Sequence, residues 1–186
     1  MEIYTPESIK DYFLQYRELM RENEMLLQRL DHAKMKEYSI NSTKLDGMPH
    51  SKSGDDKMAS SVSTVLLLEE KARDVAKKAQ KLYSDIDEII CLINGKGYAD
   101  KRTVLQVRYL DCMSWNDVTD SLFGNKDDFL EKEDTYLRRI HKIHVEALQE
   151  LSEILNASAG TSADIPRKVC GKSADNLQES LRKIQT

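Results

Sequence analysis

Apolar residues recur at alternating steps of three and four over most of the first hundred positions. From Ile9 the series runs through Tyr12, Tyr16, Leu19, Asn23, Leu26, Leu30 and Ala33, with Phe13, Met20 and Leu27 widening the stripe. This heptad spacing predicts a helix over roughly residues 6–37, with Asn23 at a seam position where a polar side chain fixes register. Thr5-Pro6-Glu7 supplies a hydroxyl cap, a proline whose missing N–H costs nothing, and an acid in the first turn. A second series, Met58, Val62, Val65, Glu69, Ala72, Ala76, Ala79, Tyr83, Ile86, Ile90 and Ile93, stops at Asn94-Gly95-Lys96-Gly97. Between the two, residues 39–56 are rich in Ser, Gly, Asn and Asp and hold a Pro, so a loop is expected there. The expectation for residues 1–97 is a long antiparallel helical hairpin, coiled-coil-like, whose seam can also pair two copies of the chain.

The period changes after Gly97. Asp100 is placed to cap a helix whose inward residues are Val104, Leu105, Val107, Arg108 by its stem, Tyr109 and Leu110 and which stops near Asp111-Cys112-Met113. Ser114-Trp-Asn-Asp117 has the form of a capping box, so a short helix with Trp115, Val118 and Leu122 inward starts there and ends at Phe123-Gly124-Asn125. Residues 126–134 are acidic and aperiodic, which reads as an enlarged turn. Asp134 or Thr135 then caps a helix to about Leu155, with Leu137, Ile140, His144, Leu148, Leu151 and Leu155 as its apolar stripe. On a 100° wheel Thr135, Arg138, Arg139 and Lys142 share the far side. Residues 98–156 are thus expected to form a helix-turn-helix, and Thr135, Arg138, Arg139 and Lys142 are its candidate DNA-binding residues. Beyond Asn156 the composition reads as a linker, with a short last helix starting at Ser173 and carrying Leu177, Leu181 and Ile184.

Composition narrows the classes. The 186 residues are 32% charged and 40% hydrophobic, with seven Gly and three Pro, which favours an all-α chain. A net charge of −4 excludes nucleic-acid binding over the whole surface and confines any such contact to a patch. The three cysteines, Cys91, Cys112 and Cys170, lack metal-ligand spacing and are expected as reduced thiols. The longest aliphatic run, Val65 to Leu68, is far too short for a membrane span, and MEIYTPES lacks the features of a signal peptide, so the expected location is cytoplasmic. His141 and His144 stand one helical turn apart, as a metal pair would. With no third ligand in sight, His144 is read instead as a core histidine and no metal or other cofactor is expected. No phosphate loop, nucleophile elbow or buried carboxylate pair points to an enzyme.

Arg102, Leu105, Arg108-Tyr109-Leu110, Ser114-Trp115, Val118, Leu122 and His144-Val-Glu-Ala147-Leu148 form a further pattern. It resembles the R-x-x-L-x-x-R-Y-[LI], S-W-x-x-[IV]-A and H-x-x-A-L series of the RinA/ArpU-like late-operon transcriptional activators of phages. Their C-terminal part is similar to the fourth region of sigma factors, and a coiled-coil half precedes it. The resemblance covers residues 5–155. It implies a phage or prophage regulator that binds double-stranded DNA through the helix holding Arg138, Arg139 and Lys142. Three departures accompany it. Cys112 stands where the family has Gly, Thr119 where it has a small Ala, and residues 126–134 set Asp127, Asp128, Glu131, Glu133 and Asp134 beside the reading helix. Over residues 100–155 eight Lys and Arg face twelve Asp and Glu. The alternative is therefore a non-enzymatic helical interaction protein whose motif docks a protein partner such as RNA polymerase.

Overall fold

The computed structural model describes residues 4–40 and 54–160, with side chains described over 4–36 and 60–158. The chain is all-α: among the described residues there are five α-helices and one π-helical turn, and no strand. In order these are α1 (Pro6–Ile40), α2 (Gly54–Ile90), α3 (Tyr98–Leu105), the π-turn (Gln106–Leu110), α4 (Trp115–Phe123) and α5 (Glu133–Gly160). None of the described helices is long and apolar enough to cross a membrane. Part of the expected loop (41–53) and the expected last helix from Ser173 lie outside the described residues.

α1 starts at Pro6 as expected, with the Thr5 hydroxyl accepting from the Ser8 N–H at 3.2 Å. The helix extends past the expected end to Ile40, and α2 already begins at Gly54, ahead of Met58.

The chain forms two compact units, one made of Glu18–Gln80 and the other of the two stretches that flank it. In Glu18–Gln80 the seam consists of Leu26 against Ala72 and Val75, with Leu19 and Leu68 packed around them. Higher numbers on α1 meet lower numbers on α2, since Lys34 bonds Glu69 at 2.8 Å while Leu26 meets Ala72 and Val75. Four of the ten described positions of the expected α2 series are not buried. Val65, Ala72, Ala79, Ile86, Ile90 and Ile93 are buried, but Val62, Ala76 and Tyr83 are exposed and Glu69 is only half-buried. Leu68, Val75 and Leu82, each one residue earlier in the helix than Glu69, Ala76 and Tyr83, turn inward instead. Those larger aliphatic side chains remove more apolar surface from water than Glu69 and Ala76 could.

The other unit contains residues 4–17 together with 81–160. Its core includes Ile9, Phe13, Ile86, Ile89, Ile93, Val104, Leu105, Ile140, Leu151 and Leu155, each almost wholly buried. The end of α2 is closed by Arg102. Its guanidinium donates to the carbonyls of Cys91 (2.6 Å) and Ile93 (2.8 Å) and to Asn94 Oδ1 (2.9 Å), partnering carbonyls that a helix end leaves open. α3 begins at Tyr98 behind Gly97, two residues before the expected cap at Asp100, which instead sits in the first turn. Gly97 has φ 73°, a conformation open to glycine at little cost. α5 also differs from expectation, running to Gly160 through the stretch read as linker. Asn156 explains part of this: its side chain accepts from the Tyr4 N–H (2.7 Å) and donates to the Tyr4 carbonyl (2.9 Å).

Candidate nucleic-acid interface

The sequence between α3 and α4 builds a tight, braced corner. The π-turn bonds Asp111 N–H to the Gln106 carbonyl at 3.0 Å and Met113 N–H to the Val107 carbonyl at 3.1 Å. Cys112 then takes φ 58°, the one positive-φ non-glycine among the described residues. This is the position where the resemblance calls for Gly. Arg108 braces the corner, donating to the Met113 carbonyl at 2.6 Å with its guanidinium 4.5 Å from the Trp115 ring centroid.

α4 opens with the expected capping box. The Ser114 hydroxyl accepts from the Asp117 N–H, and the Asp117 carboxylate accepts from the Ser114 N–H at 3.1 Å and from its hydroxyl at 2.6 Å. These bonds hold the Asp117 carboxyl below the usual carboxylate range. α4, α3 and α5 share a core of Val104, Val118, Phe123, Tyr136 and Ile140. Thr119, the second departure, is 1% exposed and its hydroxyl donates to the Trp115 carbonyl at 2.8 Å, so the extra polar atom is satisfied.

The acidic stretch, the third departure, is a pinned turn. The Asp128 carboxylate accepts from Lys132 (2.9 Å) and from the Tyr136 hydroxyl (2.7 Å), and the two bonds lower its pKa, Lys132 contributing most. Tyr136 stacks on Phe123 with centroids 4.8 Å apart and on Phe129 at 6.0 Å. Lys126 lies over Phe123 and Tyr136, 5.5 and 5.6 Å from their centroids. Sequence reasoning misses this aromatic stack, although Tyr136, Ile140, Ile143 and Ala147 follow the four-three-four spacing of a helix face. Leu137, assigned to the stripe, is half-buried; the buried position is Tyr136.

Thr135, Arg138, Arg139 and Lys142 are all exposed on α5, while Tyr136, Ile140, His144 and Ala147 are buried. Arg139 does not simply project outward, because its guanidinium sits 5.2 Å over the Phe123 ring. Lys142 Nζ is 3.9 Å from Glu146 across one helical turn, a loose and solvent-screened pair. Asp127, Glu131, Glu133 and Asp134 are exposed too. The last two occupy the first turn of α5, where the helix dipole favours acids.

Round the helix, His144 is buried with Nε2 2.8 Å from the Tyr109 hydroxyl. Burial, then nearby Lys10, His141 and Arg108, push its pKa down to about 4, and burial pushes Tyr109 up to about 12. Both rings are therefore neutral at pH 7. The histidine is structural, as its place in the apolar stripe implied. His141 lies exposed, its ring 4.5 Å from Trp115. Among the described residues no group of three His, Cys, Asp or Glu side chains could hold a metal. Comparison of the chain with protein families, with curated proteins and with solved structures finds no match.

Proposed function

We propose that the chain is a DNA-binding transcriptional regulator of a phage or prophage, acting through a sigma-like helix-turn-helix with α5 as its reading helix. The observation that carries the reading is the division of α5 into two sides. Thr135, Arg138, Arg139 and Lys142 share an exposed face, while Tyr136, Ile140, His144 and Ala147 fix the opposite side in the core. α4, capped and only 9 residues long, precedes α5 through a pinned turn. Such a helix meets phosphates and base edges with its exposed side while its buried side sets its angle. The phage assignment rests on the resemblance of the 102–148 series.

The acids temper the affinity. Arg138, Arg139 and Lys142 neutralise about three phosphates, giving a slope of log K against log salt of roughly −2.7 per copy. Asp128 is committed to Lys132 and Tyr136, whereas the four exposed acids repel the backbone. Those same four carboxylates favour a second reading, in which the motif docks a basic surface of a protein such as RNA polymerase. Gel shifts with duplex DNA at several salt concentrations separate the two. The first reading expects a shift that Arg138→Ala/Arg139→Ala weakens and that loses salt dependence by about two units of slope. An unchanged slope and affinity, or no shift alongside a stable co-purifying polymerase, overturns it.

A further inference from the structure

We infer that a second copy of this chain packs on one defined face of the Glu18–Gln80 unit to make a four-helix bundle. The inference does not depend on DNA binding, because it concerns a separate set of side chains and is read out as mass.

The face is defined by the seam. Leu19, Leu26, Val65 and Leu68 belong to the seam, and the residue after each is rotated by 100° to its flank. That Lys34 (after Ala33) and Glu69 (after Leu68) bond at 2.8 Å shows that these flanks of the two helices lie on one side. The same side carries Met20 and Leu27 from α1, and Val62 and Leu66 from α2. These four are 39–60% exposed, and exposed Ala76 falls in line with them. Large apolar side chains on the other flank are fewer, Met25 and Leu67, and stand among charges. Phe13 continues the heptad of Met20 and Leu27, and it is wholly buried against Tyr109, ring centroids 5.3 Å apart. The repeat is thus covered at its first position and open at the next two.

Charge selects the occupant. The face is ordered so that Lys34 and Arg73 are followed or preceded along the axis by Glu24, Asp31 and Glu69. A two-fold axis crossing the helices between Leu27 and Asp31 brings the two copies of Leu27 to about 6 Å of each other along the helix direction and sets Ala76 over the second copy's Leu66. It also brings Lys34 towards the second copy's Glu24, and Arg73 towards its Glu69. A self-complementary pattern of this kind is what a two-fold interface requires, since the same patch serves both sides. The stripe is roughly 25 Å long at 1.5 Å rise per residue, and a helix pair is ~20 Å wide, which gives about 1,000 Å² for both copies together. That is the lower bound for a specific interface, so the dimer is expected to dissociate on dilution.

The test is sedimentation of the full chain at concentrations well above the micromolar range. The wild type is expected at twice the 21.4 kDa chain mass. Leu27→Glu is expected at the single-chain mass with its helical circular dichroism retained, because the side chain is nearly half exposed. Met25→Glu, on the other flank, should leave the dimer intact. With Cys91, Cys112 and Cys170 replaced by Ser, Leu27→Cys should be joined across the two copies by a short bis-maleimide crosslinker and Met25→Cys should not. A monomeric wild type, a dimer untouched by Leu27→Glu, or crosslinking at 25 rather than 27 overturns the inference.

Discussion

His144 should make the fold sensitive to mild acid. The ring is 7% exposed, is bonded to Tyr109 and lies edge-on to Trp115 with centroids 4.9 Å apart. Lys10, His141 and Arg108 are the charged or titratable groups that disfavour its protonation, after burial itself. Its pKa falls from 6.5 in the unfolded chain to about 4 in the fold. Above pH 6.5 both states hold a neutral ring and nothing is gained or lost. Below it the unfolded state takes up a proton that the folded state refuses, so stability declines until the pH reaches about 4. Between ~pH 7.5 and ~pH 5 the loss from this one group is about 2 kcal/mol. His144→Gln keeps a polar group within reach of the Tyr109 hydroxyl but cannot titrate. It should cost on the order of 1–2 kcal/mol at neutral pH through lost ring contacts. It should also remove most of the decline in that window. Urea unfolding of both proteins at the two pH values measures the difference. Equal pH dependence of wild type and variant, or a His144 titration near 6.5 followed by NMR, would refute the assignment.

Three shorter predictions follow from the same unit. Ile140→Ala opens a cavity among Val104, Val118, Phe123 and Tyr136 and should cost about 2–4 kcal/mol in urea unfolding. Arg138→Ala, at an exposed position on the same helix, should fall within ~0.5 kcal/mol of wild type. Cys112→Gly relieves a left-handed conformation worth ~1–2 kcal/mol, less the added freedom of glycine in the unfolded chain. It should therefore raise the unfolding midpoint by a few degrees, whereas Cys112→Val should lower it.

Local patterns make the helices and the corner legible. The 114–117 capping box and the stop at Phe123-Gly124 depend on residues within a few positions of one another, while the unusual demand on Cys112 is what the resemblance, with Gly at that position, implies. Pairings between distant segments are not legible. Nothing in the composition of 156–160 announces that Asn156 will pair with Tyr4, 152 positions away, and so keep α5 helical. The expected α2 series is one residue out at Glu69, Ala76 and Tyr83 because Leu66, Leu67 and Leu68 offer the periodicity several equivalent fits. Only packing against Leu19 and Leu26 chooses Leu68. The exposed face of α5 follows from the helical wheel, but its surroundings do not. Phe129 sits in an aperiodic acidic stretch, and its stacking on Tyr136 turns that stretch from an open loop into a pinned turn. Arg139 consequently has an aromatic ring beneath it that a wheel cannot show.

The reading of α5 as the DNA-contacting helix is tested most directly by an amide chemical-shift titration of the labelled chain with a short duplex at low salt. Perturbations concentrated on Thr135, Arg138, Arg139 and Lys142, and reversed by added salt, are the predicted result. An unperturbed spectrum, or shifts confined to residues away from 135–142, would contradict it.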